Sequence, residues 1–358
     1  MPHPVRHPRR TAVVTSAVAV VVGAVSVFVV ATTELATGRS PLASGQRLAQ
    51  CKLGARQGGA PSHMCAREGQ IIDVRLGDLR PTQPALGHDA VHYRLGRYTS
   101  GKDQINRRFV DWCRSSGLLD VVAAGPDAKL SDPTTFTCEL RPGEENEESR
   151  SQMRTVVIGR GGRPYLTGGH HTLAAFHAMP DGGPDMKVRV RVVANLGGLV
   201  EDSFWERMRT EKWVWLRDAD GKNIDPARLP GDLSLKSFGD DRYLSLAFFT
   251  RGIGHRPRKM LFQEHHWATW IRESGKVDLT GWRSDDPASY LKAVQNAGKA
   301  QISLPRQTVV HNGLTAGHLG RRTKLGEQTL ARLGRPLTHE SPGKLAYIPE
   351  GRKVAATR

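Results

Sequence analysis

Two adjacent imidazoles behind two glycines, in Gly168-Gly169-His170-His171-Thr172, are the strongest chemical signal in the sequence. Glycine lets a backbone approach a ligand closely and adopt positive φ. The residues that follow, up to Pro180, are apolar and read as a helix, so the box sits at a helix mouth. Free main-chain N–H groups and the helix dipole favour an anion there. The imidazoles add donors and, when protonated, positive charge. Gly168, Gly169 and Thr172 are therefore candidate phosphate contacts, with Arg80 as a more distant one. His170 and His171 are candidate general acid–base or oxyanion-donating groups. A tight turn with partly exposed histidines is the plainer alternative. Neighbouring side chains on a helix diverge, so the pair alone is a poor metal site.

Three carboxylates could serve such a ligand. Asp240 and Asp241 precede an apolar helical stretch; they either cap it and form an ion pair, or hold Mg²⁺ or another divalent metal. Glu264 falls between Met260 and Trp267 on an apolar helix face. A buried carboxylate there is either a structural ion pair with an arginine or a catalytic group with a raised pKa. Asp218-Ala219-Asp220-Gly221 looks like part of a calcium loop, but Ala227 stands where a bidentate glutamate is needed, so a β-turn is expected.

The elements around the box mix both secondary-structure types. Ile71–Leu76 and Thr155–Gly159 read as strands, with a hairpin turn at Arg160-Gly161-Gly162-Arg163 and a return strand at Pro164–Leu166. Lys187–Ala194 alternates basic residues with valine, a strand with one buried face. Residues 103–116 place Ile105, Phe109 and Trp112 on one helix face before Gly117. Residues 201–211 and 259–273 also read as helices, and Asp240/Asp241 begin another that Gly252 ends. The fold class expected is mixed α/β, or α+β.

Composition and termini narrow the context. With 38% hydrophobic and 24% charged residues, the chain can bury a sizeable core, which excludes wholesale disorder. A formal charge of +17 favours anionic partners, nucleic acid among them. Arg6, Arg9 and Arg10 precede an uncharged run, Thr11–Ala31, so residues 1–36 read as an export signal or N-terminal membrane anchor. The remainder is then exported across the cytoplasmic membrane, and membrane contact is confined to that segment. Export makes disulfides plausible. Cys51 and Cys65 bracket a Gly-rich loop within residues 37–69, and Cys113 and Cys138 flank a second stretch; this sequential pairing is favoured among the three that four cysteines allow. Residues 306–358 carry ten Lys/Arg against three Glu and little periodicity, and are expected to be a basic, largely flexible tail.

Several blocks together resemble one family. Val74-Arg75-Leu76-Gly77-Asp78-Leu79-Arg80-Pro81-Thr82-Gln83, Tyr165–His171, Asp240–Ala247, Phe262–Ala268 and Ser303-Leu304-Pro305 are similar to the ParB-like nuclease family of the ParB/sulfiredoxin superfamily. The resemblance implies a ParB/sulfiredoxin-like domain over residues 70–200 whose Gly-His box closes over nucleotide phosphates. It implies a Trp-rich, mainly helical extension over 201–305. A nuclease-like or other phosphoester-directed hydrolase is the activity it suggests, and a non-catalytic nucleic-acid or polyanion binder is the alternative. Gly168 replaces the usual Asp before the box, Thr172 replaces an Arg found after it, and Gln83 stands where related kinases carry a Glu. A shared fold does not by itself fix the reaction.

Overall fold

Alternating valines and β-branched runs set the central sheet. The computed structural model describes residues 63–357. The expected export segment, Cys51 and residues 37–62 lie outside them. Ten strands occur among the described residues: β1 (Ile71–Arg75), β2 (Ala85–Leu86), β3 (Val121–Ala124), β4 (Phe136–Cys138), β5 (Arg154–Ile158), β6 (Pro164–Leu166), β7 (Lys187–Asn195), β8 (Gly239–Asp240), β9 (Val309–His311) and β10 (Leu314–Thr315). The α-helices are α1 (His88–Ser100), α2 (Arg107–Ser115), α3 (Glu147–Gln152), α4 (His170–Ala178), α5 (Glu201–Thr210), α6 (Arg242–Phe249), α7 (Gln263–Glu273), α8 (Pro287–Ser303), α9 (Glu327–Leu333) and α10 (Ile348–Ala356). The fold is mixed α/β, as expected.

The main sheet has the order β1-β7-β5-β6. β7 runs antiparallel to β1 and parallel to β5, and β5 and β6 form the expected hairpin. Gly161 (φ 67°) and Gly162 (φ 77°) supply the positive φ that turns it. Val188, Val190 and Val192 of β7 are buried on one face, together with Val156 and Ile158 of β5. Leu95 and Tyr98 of α1, Phe109 and Trp112 of α2, and Leu173 and Phe176 of α4 share this core. The opposite face carries a small cluster of Val157, Phe204, Met208 and Val214. Asn106 caps α2 through the Arg108 N–H, and Gly117 (φ 79°) follows its end. The Cys113–Cys138 disulfide joins α2 to β4 across 25 residues, a closure that removes about 3 kcal/mol of unfolded-chain entropy. Cys65 is also disulfide-bonded; the pairing expected of Cys51 lies outside the described residues.

Two expectations are corrected. Residues 201–305 do not stand apart as a helical subdomain. Their tryptophans Trp267, Trp270 and Trp282 share one apolar cluster with Ala90 and Tyr93 of α1 and with Leu345, Tyr347 and Ile348. The basic C-terminal residues 306–357 are folded and do not form a flexible tail, because Ala316, Leu319, Leu333, Leu345, Tyr347 and Ile348 are buried in that cluster. Arg352 also pairs with the buried Asp89 of α1 at 2.8 Å. Among the described residues no helix is long and apolar enough to cross a membrane.

The C-terminal docking rests on close backbone approach. A Cβ on Gly96 would overlap the Tyr347 carbonyl, and one on Gly351 would overlap the His92 carbonyl. Replacing Gly351 by Val should therefore push α10 off α1. Thermal melting and limited trypsin digestion check this: Gly351→Val should melt at least about 5 °C lower and lose its C-terminal segment quickly. Lys353→Ala, at an exposed i,i+3 ion pair, should match the wild type.

Candidate functional site

Helix α4 begins at His170, and Gly169 before it adopts φ 84°, ψ 13°. Positive φ there disfavours any residue with a Cβ. Space also requires glycine, since a Cβ would collide with the Arg154 side chain. Arg154 enters from β5 and donates through Nη2 to Thr172 Oγ1 at 3.2 Å. A guanidinium is thus returned to the box from another strand, where the sequence has Thr172 in place of an Arg.

The two imidazoles are committed to the main chain. His170 Nε2 accepts the Thr82 N–H and His171 Nε2 accepts the Gly87 N–H, both at 3.1 Å. A main-chain N–H only donates, so each Nε2 holds a lone pair and each ring is neutral. Burial, then His265 and Arg154, lowers the His170 pKa to about 3. Burial, then Arg94, His265 and Arg251, holds His171 well below the ordinary histidine value. The pair therefore fastens residues 82–87, the approach to α1, across the mouth of α4.

Positive charge gathers beside this mouth. Arg94 of α1, Arg251 after α6 and Lys344 all lie over the Phe248 ring, at 5.1, 4.7 and 5.1 Å from its centroid. Lys344 also lies 5.6 Å from the Tyr93 centroid. Arg251 pairs with Glu264, Arg107 with Asp111 and Arg97 with Asp103. Among the described residues no carboxylate pairs with Arg94, Arg154 or Lys344. Burial, then Arg251 and Arg94, pushes the Lys344 pKa down to about 8. Burial, then Arg94, also lowers that of Arg154. A cavity of about 170 Å³ is lined by Arg94, Arg97, Arg107, Arg251, Lys344 and Asp111, with Tyr93, Tyr98 and Phe248. This arrangement suits an anion with several acceptor oxygens.

The other expected residues are placed elsewhere or already used. Arg80 donates to the Gly231 carbonyl. Asp241 Oδ1 caps α6 through the N–H groups of Tyr243 and Leu244, and Oδ2 pairs with Arg272 at 2.6 Å. Burial nevertheless raises its pKa. Asp240 Oδ1 accepts the His88 N–H. With these oxygens engaged and an arginine alongside, the two aspartates do not fit a divalent cation, and among the described residues no group of three His, Cys, Asp or Glu could hold one. Glu264 is buried; burial raises its pKa, but Arg251 and His255 override that and hold it well below the usual value. It is an ion-paired carboxylate. Gly168 adjoins Leu261, and Gln83 donates to the Ala85 carbonyl. Residues 218–222 form the expected turn, closed by Asp218 accepting the Asp220 and Lys222 N–H groups.

Sequence reading does not reveal Arg94, Arg154, Arg251 or Lys344, which come from four separate segments. It also passes over His265. That ring is buried between Trp215 (5.0 Å) and Phe262 (5.1 Å), and neither nitrogen has a hydrogen-bond partner. Phe262, which precedes it, has φ 59°, a costly conformation for an aromatic residue. Nearby, His266 and His311 share a 2.8 Å Nδ1–Nδ1 hydrogen bond.

These neutral histidines set the acid response. His170 and His265 lie at about 3 and His266 at about 4, mainly through burial, against an ordinary 6.5. Below pH 6.5 the unfolded chain takes up protons that the folded chain refuses. Their contribution is thus full above pH 6.5 and lost as pH falls toward 4. Each ring contributes up to about 1.4 kcal/mol per pH unit, about 4 for the three together. Urea unfolding at pH 7, 6 and 5 should show midpoints that fall at each step; equal midpoints would contradict the neutral assignment.

One comparison with known proteins, that with family models, agrees with the sequence resemblance. No curated protein matches the chain. The crystal structure of protein Atu1540 from Agrobacterium tumefaciens is 21% identical, covering 65% of this chain and 92% of that one at a TM-score of 0.44. A family model described as "Putative ParB-like nuclease" matches residues 72–273. That span includes the sheet, the Gly-Gly-His-His box, Arg154, Arg251 and helices α1 to α7, more than half of the chain, and the protein belongs to this ParB-like nuclease family.

Proposed function

We propose that the protein binds the phosphates of nucleic acid or nucleotides in the cavity rimmed by Arg94, Arg251 and Lys344, and acts there as a nuclease-like, phosphoester-directed hydrolase. One observation carries the reading: Arg94 and Lys344, cations without carboxylate partners among the described residues, meet Arg251 over the Phe248 ring and line the small cavity with it. Like charges gathered over one ring repel one another. Cation–π contact returns only about 0.5–2 kcal/mol apiece. A bound phosphate offsets the remainder and gains charge-assisted hydrogen bonds.

In this reading Gly169 and Thr172 shape the mouth, and His170 and His171 are positioning residues that keep residues 82–87 in place. The box then contributes binding geometry and not proton transfer; His265, with both ring nitrogens unpartnered, lies near both box imidazoles, and its pKa of about 3 keeps it neutral. Export, inferred from residues 1–36, directs the activity to an extracytoplasmic polymer or small phosphate ester. A non-catalytic polyanion binder is the second reading, favoured by the engagement of both box imidazoles with the main chain.

Fluorescence anisotropy with a 5′-phosphorylated single-stranded oligonucleotide tests binding. Affinity should fall steeply with salt. Arg94→Gln and Lys344→Gln should each weaken binding about fivefold or more and flatten the slope by about 0.7. A salt-independent affinity, or variants equal to wild type, would contradict both readings. Incubation with DNA and RNA, with Mg²⁺ or with EDTA, then separates them. Cleavage supports the hydrolase; tight binding without cleavage supports the binder.

A further inference from the structure

A second, larger cavity adjoins the arginine-lined one. Its volume is about 450 Å³, and it opens between α1 and residues 329–347. Tyr93, Arg97, Arg251 and Lys344 line both cavities, so the two spaces meet at the Arg251–Lys344 pair. The smaller space, at about 170 Å³, is the size of a phosphate group with its nearest atoms. The larger falls within the roughly 300–1,000 Å³ range of organic-ligand sites.

The walls of the larger cavity have two characters. Tyr93, Phe249 and Tyr347 supply aromatic surface. Lys102 and Arg332 add cationic groups whose hydrogen bonds go to carbonyls: Lys102 donates to Thr338 and His339, and Arg332 to Gln328. The acids present are Asp103, already paired with Arg97, and Glu340. Aromatic faces interleaved with cations are what single-stranded nucleic acid requires, bases against rings and phosphates against guanidinium or ammonium groups. A space of this size, about 450 Å³, suits one unpaired nucleotide. Arg332, Lys344 and Tyr347 lie beyond residue 273, outside the family-matched span.

We propose that this cavity is a second nucleotide subsite, supplied in part by the C-terminal segment, so that the ligand is a single-stranded oligonucleotide spanning both cavities. The inference rests on the phosphate reading of the smaller cavity. Lys344 stands between the two subsites and contacts the phosphate shared by adjacent nucleotides. Arg332 serves the outer nucleotide alone.

Isothermal titration of the protein with 5′-phosphorylated mono- and dithymidylate, pT and pTpT, tests it. Wild type should bind pTpT about tenfold more tightly than pT. Arg332 is exposed and its one bond is within its own helix, so Arg332→Gln should fold normally. That variant should keep the wild-type affinity for pT and bring the pTpT:pT ratio close to one. Arg94→Gln, at a residue that lines the smaller cavity alone, should weaken both ligands equally and preserve the ratio. Equal affinities of wild type for pT and pTpT, or an unchanged ratio in Arg332→Gln, would overturn the second subsite and leave the phosphate site standing. Failure of wild type to bind either probe would overturn both.

Discussion

An excess of positive charge held beside a helix N-terminus is the constraint on which the rest of this structure depends. Arg94, Arg251 and Lys344 share one phenyl ring, and Arg154 is wedged between a glycine and the first turn of α4. The fold neutralises some of its arginines, with Glu264, Asp111 and Asp103 each committed to one. It leaves three cations without that compensation. Four segments far apart in sequence must pack correctly to bring them together: α1, β5, the turn after α6 and the C-terminal segment. The docking of α10 on α1 through Gly96 and Gly351 therefore does more than cover apolar surface. It fixes the segment that delivers Lys344 to the cluster.

The Gly-Gly-His-His box takes its meaning from this surrounding. Taken alone, paired imidazoles at a helix mouth suggest acid–base chemistry. In the fold their Nε2 atoms are spent on the N–H groups of Thr82 and Gly87. Those two hydrogen bonds tie the polypeptide entering α1 to the start of α4, and α1 is the helix that carries Arg94 and Arg97. Neutral, buried histidines also suit a site rich in arginine better than charged ones would, since each added proton would raise the repulsion. Gly169 has the same end, because its missing Cβ leaves room for the Arg154 side chain.

Much of the scaffold was legible in the sequence, since periodicity reports burial on one face. The alternation of Lys187–Ala194 placed β7 to within a residue, and the apolar face of residues 103–116 marked α2. Gly117, Gly161, Gly162 and Gly169 marked turns that do require positive φ. Helix α1 was not legible. It is buried on several sides between two apolar clusters, through Val91 and Leu95 on one and Ala90 and Tyr93 on the other, so it shows no polar stripe. The C-terminal residues misled for a related reason. Their apolar anchors, Leu333, Leu345, Tyr347 and Ile348, are few and irregularly spaced among basic residues, and composition outweighed them. The cation cluster was invisible because no two of its members share a sequence motif. At Asp241 and Glu264 the sequence left two alternatives each, and the fold has a helix cap with an ion pair at the first and a paired buried carboxylate at the second.

Tungstate offers the most direct measurement of the central claim, because it has the shape and charge of phosphate and scatters X-rays anomalously. The protein should be crystallised with it and the anomalous map computed. The strongest peak should lie among the side chains of Arg94, Arg251 and Lys344, in the cavity beside the Phe248 ring. A cluster left empty while tungstate binds elsewhere on the chain would contradict the account.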